Sequence, residues 1–187
     1  MGTAERSVPA TVRPATAVDA EAMGGVAVRS WEATYRGMLP DAVLDEWQAT
    51  VTDGWVAAFA NQPPDTPWRP WVAERDGRVV GYATTTPAKD FFLPPPNGAG
   101  ELTNLYLDPA VIGTGVGHVL YRVAIDDLWA RDFDPLVVWA FRDNVRAVAF
   151  YERMGCVVDV ADHVWELGGV ACPIVRLVDH RPAAAEA

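Results

Sequence analysis

A glycine-rich turn in the middle of the chain constrains the fold more than any other feature. The stretch "YLDPAVIGTGVGHVL", residues 106–120, carries three glycines in five residues between a strand-like run and a helix-like run. Such a turn presents backbone N–H groups and the positive end of a helix dipole, which predicts a site for a phosphate-like anion. The apolar run "PLVVWAF", residues 135–141, predicts a buried strand, so 101–141 forms one right-handed strand–helix–strand crossover.

The rest of the chain predicts a mixed α/β domain, with elements in the order β-α-α-β-β-β-α-β-α-β-β and a mostly antiparallel sheet. The Asp76-Gly77 dipeptide between two apolar runs is typical of a hairpin. An apolar stripe from Leu44 to Phe59 recurs at helical spacing and predicts core packing. The length of 187 residues fits one domain, which we expect at 10–180, with flexible tails at 1–9 and 181–187.

Composition excludes several classes of function. The net charge of −10 argues against nucleic acid or an anionic membrane as a partner. No apolar run reaches ~18 residues, so no transmembrane helix is expected. The two cysteines form no C-x-x-C pair, and with only three histidines no metal-ligand spacing occurs, so we expect no metal site. A reducing, cytoplasmic location is therefore expected.

The glycine turn by itself leaves three interpretations open. A Walker loop requires a Lys-Ser or Lys-Thr pair, which the sequence lacks. A dinucleotide fingerprint requires G-x-G-x-x-G, whereas the third glycine here comes one residue early, at Gly117. A tight strand-to-helix turn without any ligand is the remaining alternative.

A second motif, "NVRAVAFYERMGC" at residues 144–156, follows the first. Together the two motifs resemble those of the GCN5-related N-acetyltransferase (GNAT) superfamily, and the resemblance spans roughly residues 11–178. It implies a GNAT-like acyl-CoA N-acyltransferase fold, in which helices flank a mixed sheet with one splayed parallel strand pair, and acetyl-CoA as co-substrate. The positions that match the motifs are Gly115, Gly117, Asn144, Ala147, Phe150, Tyr151 and Gly155.

The resemblance also implies a set of cofactor-binding residues. The loop amides would hold the pyrophosphate, and the unpaired backbone of Leu105 and Leu107 would bond the pantetheine arm. Asn144 either bonds a pantetheine amide or is a plain helix N-cap. Ile112 departs from the family, which has Arg or Gln there, and Thr114 and His118 would compensate in part. The implied cofactor set is Leu105, Leu107, Gly113, Thr114, Gly115, Val116, Gly117, His118, Asn144 and Ala147.

Acetyl transfer to an amine needs a base and a proton donor. Tyr151 is the implied donor to the leaving thiolate, with a core tyrosine as the alternative. Glu101, at the start of the strand before the turn, is the candidate base, with a solvated strand-end glutamate as the alternative, and Asp90 is the second candidate. No Cys-His or Ser-His-Asp set is evident, which favours direct attack in a ternary complex.

The acceptor pocket of this fold is expected between the first two helices and the loop before the Glu101 strand. The residues predicted to bind the acceptor are Trp31, Tyr35, Asp90, Phe91 and Phe92. Aromatic rings and acids together suit a cationic or planar amine, although ordinary aromatic packing explains the rings equally well. We expect a small-molecule or protein amine as acceptor and a monomer or homodimer. A non-catalytic acyl-CoA-binding sensor or interaction module is the alternative function, and Ile112 favours it.

Overall fold

The computed structural model describes residues 10–63 and 65–181, so the tails predicted at 1–9 and 181–187 lie outside the described residues except for Arg181. The predicted element order is confirmed. The strands are β1 Thr11–Pro14, β2 Arg69–Arg75, β3 Arg78–Pro87, β4 Gly100–Leu107, β5 Leu136–Phe141, β6 Val157–Leu167 and β7 Val170–Asp179. The helices are α1 Ala20–Tyr35, α2 Asp41–Ala60, α3 Val116–Ala130 and α4 Val145–Arg153. None of the helices within the described ranges has the length and apolar character needed to cross a membrane.

The strands form one seven-stranded sheet in the order β1-β2-β3-β4-β5-β7-β6. Only the β4–β5 pair is parallel, so the predicted mixed, mostly antiparallel sheet is confirmed. The apolar run "CVVDV", residues 156–160, predicts only a short strand, whereas β6 continues to Leu167 and pairs with β7 as far as Val170. As an edge strand, β6 has no fully buried residue, and polar residues such as Asp159, Asp162 and Glu166 interrupt its apolar ones, which hides its length in the hydrophobic pattern.

Helices cover both faces of the sheet. Successive residues of a strand point to opposite faces: Tyr82 packs with Met23 and Val26 of α1, whereas Ala83 packs with Leu120 of α3. The apolar stripe of α2 packs in the first of these layers, as predicted. β4 and β5 lie in the middle of the sheet, between the two helix layers, and they separate there.

The two parallel strands stay together only at their beginning. Their pairing is confined to Gly100 with Leu136 and Glu101 with Val137, after which the strands diverge. The register between β3 and β4 shifts at the same place, because Thr85 pairs with Leu102 and Thr84 with Asn104. Thr103 is therefore an extra residue, a β-bulge, which bends a strand and increases its twist.

The bulge also reverses the direction of the backbone hydrogen bonds in β4. Before it, the N–H of Gly100 donates towards β5, to Pro135 O at 3.0 Å; after it, the N–H of Asp108 donates towards β3, to Val80 O at 2.8 Å. The backbone N–H and C=O groups of even-numbered residues thus face β5 before the bulge and β3 after it. It follows that Leu105 and Leu107 turn their backbone N–H and C=O groups into the gap between β4 and β5.

Candidate active site

The glycine turn is built from two left-handed residues. Gly113 has φ of 80° and Gly115 has φ of 88°, a region that side chains with a Cβ rarely adopt. Asp108 begins the turn by accepting a hydrogen bond from Ala110 N at 3.0 Å. Gly115 is then the residue directly before α3, so the turn delivers the chain to the first turn of that helix.

The amides of this turn divide into two groups. Thr114 N–H donates to Val111 O at 3.2 Å and is used within the turn. In the described chain, no acceptor is found for the N–H groups of Gly115, Gly117 and His118, which open α3. Unpaired amides at a helix N-terminus attract an anion through their hydrogens and through the helix dipole.

Gly117 serves a different purpose from the two left-handed glycines. A Cβ placed there would lie 3.0 Å from Leu107 Cδ1, so the missing side chain lets α3 approach β4. By contrast, a Cβ at Gly113 or Gly115 would meet nothing within 4 Å, and only the backbone angle restricts those positions. The space in front of these two glycines is therefore open to a ligand.

A cleft of about 510 Å³ opens where β4 and β5 diverge, and we call it the splay cleft. Its walls come from the glycine turn and the start of α3, from β4 and β5, and from α1 and α4. Of the residues predicted to bind the cofactor, the splay cleft is lined by Leu105, Leu107, Gly113, Gly115, Gly117, His118, Asn144 and Ala147.

Two residues of the predicted cofactor set do not line the splay cleft. The Thr114 hydroxyl donates to Val111 O at 2.7 Å and accepts from Arg75 Nη2 at 3.2 Å, so it holds the turn together. Val116 is 2% exposed and packs in the core below α3. Their side chains are thus directed to the protein rather than to the cleft.

The positive charge of the splay cleft comes from α4. Arg146 and Arg153 both line it, and Arg146 donates to Thr34 Oγ1 at 3.3 Å. On the opposite wall, the half-buried side chain of Ile112 lies at the glycine turn. A phosphate at the turn would therefore meet backbone amides from the loop and guanidinium groups from α4.

Asn144 connects α4 to α1. Its Oδ1 accepts from Ala147 N at 3.2 Å, so it is an N-cap, and its Nδ2 donates to the Tyr35 hydroxyl at 3.1 Å. Because Tyr35 accepts this hydrogen bond, its own proton remains available to a further acceptor. Burial raises the pKa of Tyr35, which keeps that proton on the phenol. The N-cap was one of two predicted roles, whereas the link to Tyr35 was not predicted.

Tyr151 lines the splay cleft and is 6% exposed. Its ring packs against Phe150 and Tyr121, with centroids 5.3 and 6.2 Å away. Burial, reinforced by the neighbouring Tyr106 and Tyr35, raises the pKa of Tyr151 far above its ordinary value. The phenol stays protonated at neutral pH and can act only as a donor of its proton, not as a base.

A second cavity, of about 280 Å³, lies beside the splay cleft, and we call it the aromatic cavity. Glu101 lines it, half-buried, at the last paired position of β4 and β5. Burial raises the pKa of Glu101, although a hydrogen bond from the backbone of Lys89 and the positive charge of Lys89 oppose this shift. A carboxylate with a raised pKa is a stronger base than a solvated one.

The two cavities meet around the β4 bulge. Seven residues line both of them: Tyr35, Leu102, Thr103, Asn104, Tyr106, Trp139 and Ala140. The two cavities are therefore adjacent, and these seven residues form the boundary between them. Tyr151 stands on the cleft side of this junction and Glu101 on the cavity side.

The predicted acceptor residues separate into two groups. Trp31, Tyr35 and Phe92 line the aromatic cavity. Asp90 is exposed and Phe91 is 73% exposed, and neither lines the cavity, because the loop turns only Phe92 inwards. Of the two carboxylates proposed as base, the structure brings Glu101 to the junction and not Asp90.

Sequence reasoning missed most of the aromatic cavity. Its further aromatic residues are Trp47, Tyr106, Trp139, Phe141 and Trp165. Trp139 and Phe141 alternate along a predicted strand, which places them on one face but does not indicate what that face covers. Trp165 lies in the part of β6 that no strand pattern indicated. Across the described residues, no three His, Cys, Asp or Glu side chains gather as a metal-binding group.

Comparison with known proteins agrees with this arrangement. Residues 29–156, which include both motifs, match the sequence profile of the acetyltransferase (GNAT) family. An uncharacterized N-acetyltransferase of Mycobacterium tuberculosis is 33% identical over 141 residues, covering 73% of this chain and 82% of that protein. A mycothiol acetyltransferase of Frankia casuarinae is 30% identical over 156 residues, covering 71% of this chain. The match spans 44% of that protein, so this chain covers less than half of the length of such relatives.

Solved structures show the same fold. A GCN5-related N-acetyltransferase from Rhodopseudomonas palustris superposes with a TM-score of 0.71 at 18% identity, covering 94% of this chain and 98% of that one. The PaiA N-acetyltransferase from Thermoplasma acidophilum, solved in complex with coenzyme A, gives a TM-score of 0.69 at 18% identity, covering 90% and 98%. The family match, the Mycobacterium relative and the splayed sheet together show that this chain belongs to the acetyltransferase (GNAT) family.

Proposed function

We propose that this chain is an acetyl-CoA-dependent N-acetyltransferase that transfers the acetyl group to a primary amine by direct attack in a ternary complex. The observation that carries the proposal is the junction of the two cavities. The splay cleft, which is lined by the turn with unpaired helix amides and by a protonated phenol, adjoins a cavity that contains a half-buried carboxylate.

The splay cleft supports acetyl-CoA as the co-substrate. The pyrophosphate would bond the free amides from Gly115 to His118, with Arg146 and Arg153 near the phosphates. The pantetheine arm would pair with the backbone of Leu105 and Leu107 like an added strand. This geometry needs the gap that the Thr103 bulge opens in the sheet.

The junction of the two cavities supports the chemistry. An amine in the aromatic cavity would lose a proton to Glu101, directly or through a water, and its lone pair would attack the thioester carbonyl. The C–N bond forms, the C–S bond breaks and the thiolate takes the proton of Tyr151. The second proton that the nitrogen loses as the amide forms returns to Tyr151 through solvent, and Glu101 releases its proton to solvent. Both residues have pKa values raised by burial, which strengthens the base and keeps the donor protonated.

The acceptor and the setting of the reaction belong to the same proposal. Both cavities are formed by one chain, within a domain that we place at residues 10–180. The acceptor is a primary amine of a small molecule or of a protein. Cys156 and Cys172 are free and buried, and we place the protein in the reducing cytoplasm.

The test is release of free thiol from acetyl-CoA across a panel of amines, followed with a chromogenic disulfide, together with calorimetric titration of acetyl-CoA. Binding and amine-dependent thiol release are expected. Binding without any amine-dependent release would instead support the non-catalytic acyl-CoA-binding module, which the replacement of the family's Arg or Gln by Ile112 favours. Absence of both would overturn the proposal.

A further inference from the structure

The aromatic cavity has an unusual lining. Of its fourteen lining residues, eight are aromatic, and they come from α1, α2, the 88–99 loop and strands β4, β5 and β6. The eight are Trp31, Tyr35, Trp47, Phe92, Tyr106, Trp139, Phe141 and Trp165. Among the described residues that line it, Glu101 is the one charged side chain, and no Lys, Arg or His is present.

The rings hold one another in place. Trp31 stacks on Trp47 with centroids 3.8 Å apart and planes inclined by 15°. Phe141 stacks on Trp165 at 5.6 Å and 17°. Each stack joins two separate elements, so the walls of the cavity are set by the packing of the whole domain.

Phe92 is held at the cavity by a buried arginine. Arg176 of β7 donates to Pro94 O at 3.0 Å, which fixes the loop that carries Phe92. The same guanidinium binds Asp159 of β6 at 2.6 Å and lies over the ring of Trp139 at 5.6 Å. Phe92 contacts Trp139 and Trp165, with ring centroids 5.0 and 5.5 Å away. These contacts therefore fix the ring of Phe92 in the wall of the aromatic cavity.

The charge of the cavity discriminates among amines. An ammonium group would find the Glu101 carboxylate and the faces of several rings, both of which attract a cation. A ligand carboxylate would be buried without a cationic partner among the lining residues, which is costly. Acidic acceptors, free α-amino acids among them, are therefore disfavoured.

We propose that the acceptor is an arylalkylamine: a primary amine on a short alkyl arm that carries an aromatic ring and no acidic group. This inference rests on the proposed N-acetyltransferase function. The cavity volume of about 280 Å³ is small for a ligand pocket, which suits one ring and a short arm rather than a peptide. The ring packs among Phe92, Trp139 and Trp165, and the amine faces Glu101 and the junction.

The experiment compares acceptors that differ by one feature, with kcat/KM measured by thiol release. 2-Phenylethylamine and hexylamine differ in the ring, and we expect the ring to raise kcat/KM about five- to tenfold. 2-Phenylethylamine and L-phenylalanine differ in the carboxylate, and we expect the carboxylate to lower kcat/KM by at least about 100-fold. A short lysine-containing peptide represents protein acceptors and is expected to be poorer than 2-phenylethylamine.

A variant pair locates the effect in the cavity. Phe92→Leu removes the ring but keeps an apolar side chain, and we expect KM for 2-phenylethylamine to rise about five- to tenfold. Its KM for hexylamine is expected to rise less than its KM for 2-phenylethylamine, and its acetyl-CoA affinity is expected to stay unchanged because Phe92 does not line the splay cleft. Phe59→Leu is the matched control, because Phe59 is similarly half-buried, packs on Trp68 at 5.1 Å and lines neither cavity. Trp165→Leu removes a ring from β6 instead, so it tests the cavity even if Phe92→Leu changes the conformation of the 88–99 loop.

The outcomes separate the two proposals. The acceptor inference is overturned if hexylamine, L-phenylalanine or the peptide equals or exceeds 2-phenylethylamine, or if Phe92→Leu and Trp165→Leu behave as Phe59→Leu does. In those cases an amine is still acetylated and the proposed function stands. If acetyl-CoA does not bind and no amine releases thiol, the proposed function itself fails.

Discussion

The splay cleft and the aromatic cavity adjoin each other, yet they are built in opposite ways. The features of the splay cleft that would hold acetyl-CoA are largely backbone: two left-handed glycines, unpaired amides at the start of α3, and the β4 backbone beyond its bulge. The aromatic cavity is formed by side chains from seven separate segments, six of which supply its aromatic rings. A backbone-built site demands particular residues at particular spacings, whereas many combinations of rings can enclose a cavity. The first kind of site leaves a motif in the sequence and the second does not.

The chemistry is proposed at the boundary between these two kinds of site. Tyr151 reaches the boundary from the splay cleft and Glu101 from the aromatic cavity. If the splay cleft binds acetyl-CoA and the aromatic cavity binds the amine, substitutions in the cleft should change the affinity for acetyl-CoA. Substitutions in the cavity should change the KM for the amine. Tyr151 should affect the chemical step, Glu101 should affect both the chemical step and the binding of the amine, and neither should change the binding of acetyl-CoA.

The largest effect is expected at Tyr151. Tyr151→Phe keeps the ring packing against Phe150 and Tyr121 but removes the proton donor. We expect kcat to fall about 10²-fold while calorimetry gives an unchanged acetyl-CoA Kd, since the phenol acts on the departing thiolate. An unchanged kcat, with chemistry shown to be rate-limiting, would return Tyr151 to the role of a core residue.

Glu101 should show the next largest effect, and it should depend on pH. The raised pKa of this carboxylate means that it loses its proton later than an exposed glutamate, so kcat/KM rises with pH through that pKa. Glu101→Gln is expected to lower kcat/KM about 30-fold near pH 7 and only a few-fold near pH 9.5, where the amine itself loses more protons. The pH profile of kcat/KM is the measurement.

Asp90→Asn is the matched control for Glu101→Gln, because Asp90 is the exposed carboxylate that lies outside the cavity. It should retain the parent pH profile. A Glu101→Gln enzyme with the parent rate and profile would exclude Glu101 as the base. Positioning of an amine that arrives already neutral would then account for catalysis.

A charge placed at the glycine turn should weaken acetyl-CoA binding about tenfold. Gly115→Asp puts a carboxylate into the open space before α3, where we place the pyrophosphate. Gly115→Asn is the control, because Asn and Asp tolerate a left-handed backbone alike and only Asp adds charge. Calorimetric Kd values should differ between the two variants at low salt and converge at high salt. Equal Kd values at low salt would show that the pyrophosphate does not bind at this turn.

The smallest effect is expected from adding a cation to the turn. Ile112→Arg should tighten acetyl-CoA binding about three- to fivefold at low salt, because a guanidinium can form paired hydrogen bonds with phosphate. Ile112→Met, a neutral residue of similar size, should leave the Kd unchanged. An unchanged acetyl-CoA Kd for Ile112→Arg would indicate that Arg146 and Arg153 already neutralise the phosphate charge.

The features that the sequence determined are those that depend on local backbone geometry. The turn at Gly113 and Gly115 could be predicted because left-handed angles select glycine, and the Asp76-Gly77 hairpin for the same reason, with φ of 51° and 71°. The helix stripe and the element order follow from hydrophobic periodicity, which each segment carries within itself. The family resemblance rests on these local patterns, and the family match confirms it.

Only the tertiary structure decided which side chains share a space. The hydrogen bond from Asn144 to Tyr35 joins residues 109 positions apart, and Arg176 holds a loop 82 positions away. The burial that raises the pKa of Glu101 and the inward turn of Phe92 instead of Phe91 arise from packing between elements. Local sequence specifies how a segment bends, whereas burial and long-range contact depend on every element that packs around it, and the aromatic cavity is made of such contacts alone.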